Sequence, residues 1–217
     1  MIGEVGAMGE SGVVLASGSK IRRQLLESAG IPCRVAPAVI DEAAVRDQLL
    51  SGDVRPEPST VATALARAKA LKVSRLFRDA LVIGADQVLS LPCDATAGAH
   101  YDLVHKAETL EQARETLMRL RGTTHELHVS VAIAERGEVT WTASDVARLK
   151  VRRFSADFLE QYLARAGGAL YDSVGAYHLE GLGLQLFEQI DGNYFTILGL
   201  PMLPLLAELR QRQIVVR

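Results

Sequence analysis

The sequence predicts a mixed α/β fold, on three observations. Residues 80–85, ALVIGA, form an unbroken apolar run of strand length, as expected of a central strand buried on both faces. The first half alternates short apolar runs with stretches of helical period. In the second half, Leu127, Val129, Val131 and Ile133 alternate as a strand, and Glu135-Arg136-Gly137-Glu138 turns the chain back into residues 139–149. The second half should therefore be rich in β-hairpins.

The elements follow in order. Residues 13–16 are a short apolar strand. Ser17-Gly18-Ser19 turns the chain, with Ser19 as N-cap of a helix that ends before Gly30 and turns Leu25, Leu26 and Ala29 to the core. Residues 33–36 read as a second strand. The stretch 37–58 holds no firm element beyond a short helix over 43–50. Ser59 is expected to cap a long helix over 60–77, on which Lys69 and Lys72 sit on or beside the apolar stripe, Lys69 between Leu65 and Val73. The 80–85 strand should end at Asp86. Residues 92–106 look irregular. A capping box, Thr109 with Gln112, opens a helix that Gly122 closes. Ser155 caps a helix through Ala166. Residues 184–190 and 194–198 are expected to pair as a hairpin around Asp191-Gly192-Asn193, and 204–211 form a terminal helix.

Bulk properties narrow the function. The chain has 217 residues, 48% of them hydrophobic, enough for one large domain or two intimate lobes. A net charge of -2 argues against a general nucleic-acid binder and leaves room for a small anion in a local basic pocket. Cys33 and Cys93 form no CxxC, which indicates neither zinc nor a disulfide framework and fits a reducing cytoplasm. Residues 1–12 lack the basic and apolar regions of a signal peptide and read as a flexible extension of a single domain over 13–217. No run reaches the length of about 18 apolar residues that spans a membrane.

Several residues invite chemistry, each beside a plainer explanation. Free N–H groups at the first helix start, the Ser19 hydroxyl and the Arg22-Arg23 pair would suit a phosphate, although cations there oppose the helix dipole. A capped surface helix with solvated arginines is the alternative. Asp86 lies where ligands bind in open α/β sheets and suits a metal ligand or base, or simply begins a loop. Asp41-Glu42 is an acidic pair in a loop, Lys69 a snorkelling side chain, and Lys106 one lysine among many. The five histidines, His100, His105, His125, His128 and His178, show no metal spacing and read as structural or exposed. Scattered aromatics offer no base-stacking platform.

Taken together, the motifs resemble those of the Maf family of nucleotide pyrophosphatases over residues 13–209. LASGSKIRRQLLESAG resembles the family's LASxSPRRxxLLxxxG, VIDE its acidic pair, and VIGADQV its VIGADT. ALARAKA supplies a helix lysine. LRGTTHELHV resembles LSGxxHxV, DSVGAYHLEGLG resembles DKAGAYxIQGxG, and IDGNYFTILGLPM resembles IxGdYxxVVGLPL. Lys20 replaces a proline, Ile21 an arginine or tryptophan, Ala107 the proline after Lys106, and Ser173 the DKAG lysine.

The resemblance implies an elongated mixed β-sheet with flanking helices, two lobes around a deep cleft, as in the inosine triphosphatases. It implies hydrolysis of a nucleoside triphosphate between its α and β phosphates in a house-cleaning role. Ser19, Arg22, Lys69 and Lys106 would bind the phosphates. Glu42 and Asp86 would hold Mg²⁺ or Mn²⁺, and Asp86 would also be the catalytic base. Ile21, Gln87 and Glu180 would sort substrates, and Gln87 with Glu180 match the branch acting on 7-methyl-GTP rather than that acting on dTTP and UTP. A cytoplasmic homodimer is implied, with neither a nucleic acid polymer nor a membrane as partner. The rival is a nucleotide-binding regulator of septum formation without turnover, for which a base would be superfluous.

Overall fold

The computed structural model describes residues 12–51, 55–92 and 101–216. The expected N-terminal extension, apart from Gly12, and also Cys93 and His100, lie outside the described residues.

β1 (Val13–Leu15) is buried along its length. It leads through the serine turn into α1 (Lys20–Ser28), where the Ser19 hydroxyl accepts from Arg22 N at 3.4 Å as an N-cap should. Leu26 is the buried residue of this helix, with Leu25 and Ala29 packed beside it. Gly30 takes φ +75°, and β2 (Cys33–Val35) follows. α2 (Glu42–Leu50) starts one residue before the expected helix, because Asp41 Oδ1 accepts from Ala44 N at 2.9 Å and caps it.

α3 (Pro58–Ser74) corrects the expected start. Proline at the first helical position, with φ preset and no N–H to satisfy, opens the helix one residue before Ser59, which is therefore not its cap. β3 (Leu81–Pro92) corrects the expected strand end. Asp86 lies in mid-strand opposite Ser130, since β3 finds an antiparallel partner over its whole middle. β4 (Tyr101–Val104) was expected to be irregular and instead pairs antiparallel with Leu89–Pro92.

α4 (Leu110–Leu120) opens as expected at Thr109, and Gln112 Oε1 accepts from Glu108 N. β5 (Thr124–Glu135) and β6 (Glu138–Val151) form the long hairpin, turned by Arg136 and Gly137 at positive φ. α5 (Ala156–Arg165) is capped by Ser155, and a short α6 (Ala169–Asp172) follows. β7 (Phe187–Asp191) pairs with β6, not with residues 194–198. Those residues form α7 (Tyr194–Ile197), because Asn193 Oδ1 accepts from Phe195 N and starts a helix where a hairpin turn was expected. α8 (Met202–Gln211) ends the fold.

One seven-stranded mixed sheet results, in the order β2-β1-β3-β5-β6-β7 with β4 also on β3. Only the β1 pairings are parallel. α3 packs on one face, over Val82, Val88, Ala132 and Ala134. The opposite face carries two separate cores. One joins Leu15, Ile83, Val131 and Ile133 to Leu26 of α1 and Leu205 of α8. The other joins Leu89, Leu127 and Leu149 to Leu117 of α4, Leu159 of α5 and Tyr177. These are the expected lobes on one shared sheet. Among the described residues no helix is long and apolar enough to cross a membrane.

Candidate active site

The site lies where the sheet splits. On the edge of β3 away from β5, β1 pairs with Leu81–Ile83 and β4 with Leu89–Pro92. Between them, residues 84–88 have no strand partner on that edge among the described residues. A cleft of about 960 Å³ opens there. Ser19, Ile21, Arg22, Glu42, Lys69, Asp86, Gln87, Lys106 and Glu180 all line it, so every site residue singled out in the sequence reaches one cavity.

The two arginines of α1 part company. Arg22 turns inward and donates from Nε to Gly199 O at 2.7 Å and from Nη1 to Ala85 O at 2.8 Å and Ser17 Oγ at 3.2 Å. It thus satisfies a carbonyl of the open β3 edge. Arg23 turns outward to Glu27, at 2.7 Å on an exposed face. Burial pulls the Arg22 guanidinium below its ordinary pKa, opposed by the charges of Asp86 and Glu42.

The floor of the cleft follows from Gly84. A Cβ there would lie 2.4 Å from Ala66 O and 2.6 Å from Ala70 N, so only glycine lets α3 settle this closely on β3. Asp86, two residues on, faces the same helix, and Lys69 lies between Ala66 and Ala70. Lys69 Nζ is 2.5 Å from Asp86 Oδ1 and 2.7 Å from Glu42 Oε1. Asp86 Oδ2 takes no hydrogen bond from the described residues. Arg46 Nη2 holds the second Glu42 oxygen at 2.8 Å.

Burial pushes the Asp86 carboxyl above its ordinary value, against the pull of Lys69 and Arg22. Burial raises Glu42 too, but Lys69, Arg46 and Lys106 outweigh it and hold that carboxyl below its ordinary value. Burial, reinforced by Arg22 and Lys69, lowers Lys106. Lys106 is thus held close enough to Arg22 and Lys69 for their charges to disfavour its own.

At the other wall, Gln87 Nε2 donates to Ile197 O at 2.9 Å, which leaves its carbonyl oxygen as the group free to meet a ligand. Glu180 is exposed on the rim, in the segment between α6 and β7. That segment is pinned from behind. Tyr177 Oη meets His125 Nε2 at 2.8 Å, and Tyr162 Oη donates to Ala176 O at 3.0 Å. Burial holds His125 neutral, its pKa down to about 3. His125 and His128 are buried and structural, as expected, whereas His105 and His178 line the cleft. Sequence reasoning missed Arg46; its signal was the Glu42–Arg46 spacing of four on a helix.

Glu42 and Asp86 converge on one point from two elements, and both are hard oxygen donors. Among the described residues no three of His, Cys, Asp and Glu gather as a closed metal site. Two carboxylates facing an open cleft offer the oxygen donors that a hard divalent cation takes.

A family described as Maf-like protein matches residues 12–212. A protein of Granulibacter bethesdensis named nucleoside triphosphate pyrophosphatase is 46% identical over 201 residues, covering 93% of this chain and 97% of its own. A Brucella abortus protein named 7-methyl-GTP pyrophosphatase is 44% identical over 203 residues, covering 94% and 97%. One of the same name from Rhizobium meliloti is 45% identical over 199 residues, covering 92% and 95%. Among solved structures, a HAM1 protein from Coxiella burnetii is 13% identical, covers 80% of this chain and 97% of its own, and superposes with a TM-score of 0.40.

Proposed function

The chain belongs to the Maf family, and on that premise we propose that it hydrolyses nucleoside triphosphates to the monophosphate and pyrophosphate. The observation that carries the reading is Lys69 bridging Asp86 and Glu42 on the floor of a cleft that Arg22 and Lys106 also line.

Ser19, Arg22, Lys69 and Lys106 take the phosphate oxygens and hold the charge that moves in the transition state. Asp86 accepts the proton of the attacking water on a carboxylate oxygen. The water oxygen bonds to one of the two phosphorus atoms, α or β, the bond from that phosphorus to the bridging oxygen breaks, and the bridging oxygen departs on the other product. Glu42 and Asp86 would hold Mg²⁺ or Mn²⁺, which would supply neutralisation of phosphate charge. A regulator that only bound nucleotide would need the cations but no buried carboxylate beside them.

The base proposed is guanine-type, including 7-methylguanine. Glu180 and the free carbonyl of Gln87 are acceptors, and a guanine edge offers a ring N–H and an amine where thymine has no amine. Ile21 adds apolar contact without the cation–π contact of a tryptophan. The proposed setting is a homodimer in the cytoplasm; a monomer mass by light scattering at micromolar concentration would remove the dimer. The activity is tested by incubating the full chain with Mg²⁺ and a panel of triphosphates and measuring pyrophosphate. No release from any of them refutes the reading.

A further inference from the structure

The carboxylates assigned to the metal are already occupied by protein. Glu42 has one oxygen on Lys69 Nζ at 2.7 Å and the other on Arg46 Nη2 at 2.8 Å. Asp86 has one oxygen on the same Lys69 nitrogen at 2.5 Å. Arg46, Glu42, Lys69 and Asp86 therefore form a chain of alternating charge that sums to zero. Lys69 and Asp86 are nearly buried, with side chains 12% and 8% exposed, so solvent screens this chain little at its inner end. Arg22 and Lys106 add two further cations to the same cleft, and Glu108, Asp172 and Glu180 line it farther along as anions. A bare divalent cation arriving here would meet carboxylates with one unbonded oxygen between them, each already paired with a cation.

We propose that Arg46 and Lys69 form a built-in counter-ion set that keeps free divalent cations out of the cleft. Arg46, which no motif marks, is then a positioning residue: it fixes one Glu42 oxygen and so turns the other to Lys69. The set opens when a triphosphate arrives. Its oxygens compete for Lys69 Nζ, the lysine leaves the two carboxylates, and their oxygens are freed for a divalent cation as the phosphates arrive. Metal and nucleotide consequently bind with strong mutual cooperativity, each tightening the other by the same factor. The inference rests on the pyrophosphatase reading for the identity of the anion, and on geometry alone for the exclusion of free metal.

The probe is Mn²⁺, followed on the full-length protein by electron paramagnetic resonance and by water proton relaxation, which separates enzyme-bound from nucleotide-bound ion. Wild type should bind free Mn²⁺ weakly, and a non-hydrolysable α,β-methylene triphosphate should tighten it about ten- to a hundredfold. Lys69→Met should bind free Mn²⁺ at least about tenfold more tightly than wild type and gain less from the analogue. Arg46→Gln should also tighten free Mn²⁺, severalfold, with Arg46→Lys returning it toward wild type. A residue with only a structural role would loosen the site and weaken the metal instead. The wild-type comparison with and without analogue needs no variant, so it stands even if Lys69→Met fails to fold. Free Mn²⁺ bound as tightly by wild type as with the analogue, or more weakly by folded Arg46→Gln, overturns the proposal. Neither readout involves turnover, so failure of the activity itself shows separately, as absent pyrophosphate.

Discussion

Replacing Gly84 by alanine tests whether the close approach of α3 builds the site. The added Cβ would lie 2.4 Å from Ala66 O, 2.6 Å from Ala70 N and 2.9 Å from Ala70 Cβ. Two of these are backbone atoms of a helix and cannot swing aside. Ordinary contact distances begin near 3.5 Å, so the helix must retreat by about 1 Å. Overpacking of this kind costs roughly 1–3 kcal/mol. For a chain of this size that corresponds to a fall in Tm of roughly 2–12 °C. Passed on to Lys69, a 1 Å retreat stretches its contacts from 2.5 and 2.7 Å to about 3.5 Å or more, beyond hydrogen-bond range. Misplacement by that much costs about a hundredfold in turnover. Thermal unfolding and pyrophosphate release, measured on the same preparation, read both effects. Gly12→Ala is the control, since nothing lies within 4 Å of its Cβ position. Wild-type Tm and turnover in Gly84→Ala would refute the argument that glycine at this position sets the lysine.

The other predictions are simpler. Asp86→Asn should lose at least roughly a hundredfold in kcat while still binding nucleotide; wild-type turnover would remove Asp86 as base. Because burial raises the Asp86 pKa, the carboxylate needed as base is lost as pH falls through that raised value. In the metal-free protein this carboxyl should therefore titrate above the ordinary aspartate range, and higher still in Lys69→Met, which removes a charge that lowers it; an NMR titration without divalent ions reads both, and a value within the ordinary range would refute it. Arg22→Ala should weaken triphosphate binding about ten- to a hundredfold, and Arg23→Ala hardly at all, since Arg23 holds only an exposed partner; equal small effects would make the helix start a mere surface turn. Glu180→Gln should reduce the kcat/KM preference for guanine nucleotides over dTTP and UTP, and a tenfold wild-type preference for dTTP or UTP would overturn the base assignment.

Some of the local chemistry was legible in the sequence. The caps Ser19, Thr109 and Ser155 each accept the expected backbone N–H. The turn at Arg136 and Gly137 is likewise where its residues place it. Pairing between distant segments was not legible. Asp86 breaks an apolar run, yet β3 continues because β5 supplies a partner for each residue from Val82 to Ser90. Asp191-Gly192-Asn193 has the composition of a hairpin turn, but Asn193 spends its side chain on capping α7. The site residues came to light through their motifs. Their arrangement did not, because it depends on Gly84 admitting α3, on Lys69 spanning two carboxylates, and on Arg46 holding the second oxygen of Glu42.

The unbroken pairing of β5 with β3 has one more consequence. The two cores lie on either side of the split, which would ordinarily invite them to melt as separate units. Ile83 belongs to one and Leu89 to the other, and β5 spans both strand segments without a shift in register. Neither core can lose its part of β5 without uncovering part of its neighbour. Denaturation of the two should therefore be a single cooperative event, with the floor of the cleft, at its centre, among the last parts of the molecule to come undone.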